Sequence, residues 1–147
     1  MHEELADRLM AAITGGDIDT LRLLYAPGAR IWNNGPGPGG GEEQGLDDNL
    51  RTLRWLSRNL EGFRYEEIRR DPLPQGYVQR HVLRGNLADA ARTPIEMAAC
   101  LFVTVDGDGR IARIEEYADT RGSDPLRELA AAQRAARAAR AARVARA

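Results

Sequence analysis

Residues 76–85 read GYVQRHVLRG, residues 95–105 read IEMAACLFVTV, and residues 110–119 read RIARIEEYAD. These stretches decide the fold. Each is rich in β-branched, leucine or aromatic residues, and turn-formers separate them: Ala-Asp-Ala-Ala at 88–91 and Asp-Gly-Asp-Gly at 106–109. A further strand is predicted at 63–70, ahead of the Pro74-Gln75-Gly76 turn. Strands joined by connections this short form an antiparallel meander, because a parallel neighbour needs a crossover of a dozen or more residues.

Upstream the period is helical. Leu5, Leu9, Ala12 and Ile13 lie on one face, and Gly15-Gly16 stops that helix. Asp17 caps a second helix bearing Ile18, Leu21 and Leu24, which Pro27 closes. A short strand at 29–33 and a Gly/Pro loop follow, then Leu46, Leu50, Leu53, Leu56 and Leu60 mark a third helix, ended by Gly62. Helices first and strands afterwards is an α+β order. The expectation is a curved, cone-like antiparallel sheet covered by three N-terminal helices, with a pocket between the two layers. Residues 1–122 make this domain, and residues 123–147 make an Ala/Arg-rich helical tail, read as solvated.

With 147 residues and 43% hydrophobic content, one core is sufficient. Cys100 is the only cysteine, so no intrachain disulfide forms, and the reading is a cytoplasmic protein. The polar start carries no secretory pattern, and no apolar run reaches the roughly 20 residues that span a bilayer. All 21 basic residues are arginine, and five of them fall in the last fourteen positions. The remainder sets 16 arginines against 22 acids, an acidic body that argues against a nucleic-acid-binding core. The basic tail alone would attract phosphates, weakly and without sequence preference.

Several motifs are set aside. Gly35-Pro36-Gly37-Pro38-Gly39-Gly40 fits G-x-G-x-x-G, but its prolines lack the N–H groups a pyrophosphate needs, and no parallel βαβ unit follows. It reads instead as a flap near the pocket mouth. The two histidines, His2 and His81, have no partner at ligand spacing, so no metal is expected. Neither Ser57 nor Ser123 sits in a nucleophile elbow.

Polar residues inside the strands remain. Alternation puts Gln79, His81 and Leu83 on one face of their strand, and Ala112, Ile114, Glu116 and Ala118 on one face of the last. The second set is apolar except for one carboxylate. A carboxylate in such a wall has a raised pKa and can act as a base. The competing reading is a glutamate paired with an arginine.

From the opening helices with Gly16-Asp17-Ile18, through RIWNN at 30–34 and VQRHVLRG at 78–85, to GRI followed by EYAD at 109–119, residues 3–120 resemble the SnoaL-like branch of the nuclear transport factor 2-like superfamily. The resemblance implies the cone fold, no cofactor, and chemistries that include ketosteroid isomerisation, polyketide cyclisation and limonene-type epoxide hydrolysis. The isomerase pattern fails, since its tyrosine, base and oxyanion-hole acid fall at Leu9, Asn33 and Leu101. The cyclase carboxylate falls on Glu116 before Tyr117, with its companion histidine at Cys100. The epoxide-hydrolase carboxylate also falls on Glu116, its water-holding asparagine on Asn33, and its Arg-x-Asp pair on Gln79 and His81, with Ile31 in place of a tyrosine.

The resulting expectation is a cofactor-free acid/base enzyme on an apolar small molecule, performing epoxide hydrolysis or polyketide-type cyclisation. The alternative is a non-catalytic binding protein with the same pocket. Asn33, His81 (as a protonated acid) and Glu116 should converge on one cavity, with Gln79, Leu83 and Ile114 contacting substrate and Trp32 on the opposite face. A homodimer through the sheet should cover the nearly apolar outer side of residues 98–105.

Overall fold

The computed structural model describes residues 2–35 and 41–147. The chain runs α1 (Glu3–Gly15), α2 (Ile18–Leu24), β1 (Tyr25–Asn33), β2 (Glu42–Gly45), α3 (Leu46–Asn59), β3 (Leu60–Leu73), β4 (Gly76–Leu87), β5 (Pro94–Val105), β6 (Ile111–Ala118), a single 3-10 turn (Thr120–Ser123) and α4 (Asp124–Arg146). The expected flap at residues 36–40 lies outside the described residues.

Local chemistry explains the helix ends. Gly16 takes the left-handed conformation (φ 64°) that closes α1, and the Asp17 carboxylate accepts the Thr20 N–H at 3.0 Å to start α2. Pro27 does not close α2. The helix stops at Leu24, and Pro27 lies within β1, near its irregular pairing with β6. Gly62 likewise does not end α3, which stops at Asn59. It sits at φ 62° in a β-bulge of β3, where Gly62 and Phe63 oppose Gly85 alone.

The six strands lie in the order β2-β1-β6-β5-β4-β3. β3 to β6 form the antiparallel meander. The sheet is nonetheless mixed, because β1 pairs with β6 in parallel, Asn33 beside Glu116, and the short β2 extends the β1 edge. A second bulge places Glu67 and Ile68 opposite His81, with Glu67 at φ 56°. Two bulges in one strand bend the sheet around the helices.

The main core lies between α1–α3 and the inner sheet face. Leu9, Leu21, Tyr25, Tyr77, Val103 and Ile111 are sealed there. A second cluster of Leu60, Leu83, Leu87 and Ile95 receives Leu126 of α4. The first turns of α4 are therefore packed: the Trp55 indole N–H donates to Gln133 at 2.7 Å, and Gln133 donates to Asn59 at 3.1 Å. Only the distal turns are fully solvated. No helix among the described residues is long and apolar enough to cross a membrane.

Candidate functional site

Register sets the geometry of the inner face. Asn33, Glu116, Leu101 and Gln79 stand side by side across β1, β6, β5 and β4. His81 lies two residues further along β4, on the same face, beside Ala99 and Ala118. Trp32 lies on the other face, tilted against Tyr117 with ring centres 5.2 Å apart.

Glu116 is enclosed by protein yet keeps some accessible surface. Burial raises its pKa, and among the described residues no arginine pairs with it. The reading of a glutamate neutralised by an arginine therefore does not hold. Neighbouring Glu115 takes that role instead, on the outer face, with Arg113. Tyr25 and Tyr65 are the ionisable groups close enough to feel the Glu116 charge. Burial raises both phenol pKa values, helped next by the Glu116 carboxylate at Tyr65 and by Tyr77 and then Glu116 at Tyr25, so both stay protonated.

His81 differs from expectation. Its pKa is lowered to about 4, mainly by burial and then by Arg70, so the ring is neutral at physiological pH. Hydrogen bonding gives the tautomer. Arg70, which can only donate, gives Nε–H to Gln79 Oε1 at 2.7 Å. The Gln79 amide nitrogen must then face His81 Nδ1, at 2.9 Å, so Nδ1 accepts and Nε2 carries the proton. Arg70 is itself fixed by Glu3 and Asp7 of α1 at 2.8 and 2.6 Å. A protonated His81 acid would require Gln79 to turn its oxygen away from Arg70. Gln79 has no accessible surface, so it bridges Arg70 and His81 and cannot touch a substrate.

The hollows are separate. A cleft of about 570 Å³ between α3, α4 and β2 is lined by Asn33, Thr52, Trp55, Leu56 and Leu126, among others. A smaller recess of about 360 Å³ at the β3 bulge includes His81. Asn33 lines the first of these hollows and His81 the second. Asn33 Oδ1 accepts the Gly35 N–H at 3.2 Å, and adjacent Asn34 bonds Ala118 through both its amide atoms. Those bonds hold the end of β1 against β6 and keep Asn33 beside Glu116. Leu83 and Ile114 pack in the two cores.

A sequence model described as the SnoaL-like domain matches residues 6–114. The chain belongs to the SnoaL-like family. The match takes in Asn33, Gln79, His81 and Leu83 and stops just short of Glu116. No curated protein matches the sequence. Among solved structures, this SnoaL-like chain is similar to PrhC from Penicillium brasilianum (14% identity, 90% of this chain and 89% of that one covered, TM-score 0.71). It is also similar to a candidate polyketide cyclase from Xanthomonas campestris (19%, 78% and 87%, TM-score 0.63). A third is a protein of ketosteroid isomerase-like fold from Catenulispora acidiphila, in complex with trimethylamine (16%, 78% and 85%, TM-score 0.64). At these identities the likeness is one of fold.

Sequence reasoning missed two site residues of this SnoaL-like domain, Tyr65 and Arg70. Tyr65 packs edge-on to His81, with ring centres 4.6 Å apart. Regular alternation from Tyr65 would turn Arg70 outward, and the extra residue at the bulge turns it in.

Proposed function

We propose that the chain is a small-molecule enzyme that removes a proton next to a carbonyl without a cofactor, and so promotes aldol-type ring closure. The observation behind this reading is Glu116, an enclosed carboxylate with no cation beside it among the described residues. A raised pKa brings a carboxylate toward the basicity that proton abstraction needs near neutrality. In the proposed step Glu116 takes the C–H proton. The enolate oxygen accepts a hydrogen bond from the Tyr65 hydroxyl, which stays protonated. The carbanion then attacks a second carbonyl of the same substrate, and the resulting alkoxide recovers the proton from Glu116. His81, neutral and backed by Gln79, positions the Tyr65 ring. Epoxide hydrolysis is the second reading, favoured by Asn33 standing beside Glu116, where the pair could hold and deprotonate a water.

Glu116→Gln tests both. It keeps the shape but removes the base, so turnover should fall by roughly 10²–10⁴-fold while binding survives. A panel of polyketide-like ketones and epoxides supplies the substrates. A substrate turned over equally well by Glu116→Gln would leave the non-catalytic binding protein as the better reading.

We also propose a homodimer through the outer sheet face. Phe102 and Tyr117 are 41% and 48% exposed and pack together with Trp32, an aromatic patch that a second copy would cover. Sedimentation should give twice the chain mass, and Tyr117→Asp should give a monomer. A wild-type monomer at micromolar concentration would count against it.

A further inference from the structure

The cleft between α3 and α4 has a chemistry the inner face does not account for. Trp55 and Leu56 of α3 meet Leu126 and Ala130 of α4, which makes apolar walls. Arg134 and Arg137 line the same cleft. Leu126, Ala130, Arg134 and Arg137 follow helical spacing, so one stripe of α4 turns from apolar to cationic along its length. Gln133, bonded to Trp55 and Asn59, anchors the helix at the point where that change occurs.

Within the cleft, Arg134 and Arg137 differ in pairing from the other arginines. The cleft's other guanidiniums, Arg51 and Arg127, are paired with Asp48 and Asp124. Among the described residues Arg134 and Arg137 meet no carboxylate at ion-pair distance. The cleft's one carboxylate, Glu42, does not balance them. The same cleft reaches Asn33, whose neighbour across the sheet is Glu116.

We infer that this cleft is the mouth of the Glu116 site and that its ligand is an amphipathic anion. The apolar body lies between Trp55 and Leu126, and a carboxylate or phosphate head rests on Arg134 and Arg137. Two planar guanidinium forks suit either head, and because both are exposed on α4 their attraction is strongest at low salt. An uncharged ligand would draw nothing from these arginines. The inference rests on the reading of Glu116 as the base, and it narrows the substrate class from apolar to apolar with an acidic end.

Calorimetry on the full chain tests it with three probes of equal tail length: decanoate, decyl phosphate and decanol. Either anion should bind at least about tenfold tighter than decanol at low salt. The tighter of the two identifies the head group. Arg134→Gln/Arg137→Gln should abolish the preference without changing decanol affinity or melting temperature. Arg140→Gln/Arg143→Gln, one turn beyond the cleft, should retain it. Equal binding of decanol, no binding of any probe, or an equal loss in the Arg140/Arg143 variant would overturn the inference, the last by assigning the attraction to the diffuse charge of the tail. Glu116→Gln separates the two readings. Anion preference with Glu116-independent turnover defeats only the base, and Glu116-dependent turnover without anion preference defeats only the mouth.

Discussion

His81 and Glu116 sit on the same face of the same sheet, two strands apart, and their surroundings differ sharply. His81 ends a relay that starts at Glu3 and Asp7 on α1 and passes through Arg70 and Gln79, so its Nδ1 is satisfied and its charge state is set. Glu116 is enclosed, and among the described residues it has no hydrogen-bonding or charged partner to stabilise its ionised form. Polar groups that are buried and satisfied give a fold its uniqueness. A buried acid left unsatisfied costs stability and is retained where chemistry needs it. By that contrast the histidine is held as part of the architecture, and the glutamate is the group proposed as the base. The predictions below probe the contrast from its strongest consequence to its weakest.

The largest effect should appear in the pH dependence of stability. His81 has a folded pKa of about 4 against an ordinary 6.5. Above pH 6.5 the ring is neutral in both folded and unfolded chains and contributes no slope. As pH falls from 6.5 toward 4, the unfolded chain takes up a proton that the folded chain refuses, so stability is lost. Below about 4 both are protonated and the loss levels off. The full difference is about 3 kcal/mol. Urea denaturation across this range should show the slope in wild type and a smaller one in His81→Asn, since the carboxylates contribute equally to both. Equal slopes would mean that His81 titrates normally and that the relay does not control it. By the same reasoning the turnover profile should have no inflection from His81 near neutrality.

Next in size is Arg70→Met, which keeps the side-chain length and removes the donors. Gln79 Oε1 is then left without its partner in a sealed position, which costs about 1–3 kcal/mol. Freed from Arg70, Gln79 can turn its oxygen toward His81 and accept a proton from Nδ1. The His81 pKa, followed by NMR, should therefore move up from about 4 toward 6.5. Loss of stability with an unmoved His81 pKa would leave burial alone as the cause of its neutrality.

Much of this contrast was legible in the sequence. Alternation along β4 and β6 is regular, so parity puts Gln79 with His81 and sets the face of Glu116 within each strand, and the family resemblance implied that the two faces meet. Gly16 and Asp17 announced the α1–α2 junction for equally local reasons. The relay was not legible. Arg70 reaches Gln79 only because Glu67 and Ile68 together oppose His81, and a bulge leaves no mark in hydrophobic periodicity. Nor did anything local to β1 require its parallel pairing with β6, a long-range choice that brings Asn33 beside Glu116. In α4, the alanine and arginine repeat hid three side chains that dock it: Leu126, Leu129 and Gln133.

The smallest effect concerns the stability of Glu116→Gln, as distinct from its turnover. Burial raises the Glu116 pKa in the folded chain, so the folded state favours the protonated acid. Stability is therefore fully present below the ordinary carboxylate value and is lost as pH rises through the folded pKa. Glutamine is neutral at every pH and mimics the protonated acid. The variant should match wild type in acid and exceed it at alkaline pH, by about 0.5–2 kcal/mol, the size of gain found when a strained functional group is replaced. Thermal melts of both proteins at acidic and alkaline pH would show this as a difference that opens only on the alkaline side. A variant less stable than wild type at alkaline pH would mean that the ionised carboxylate has a partner in the folded chain. Glu116 would then be one more satisfied polar group, like His81, and the contrast between them would fail.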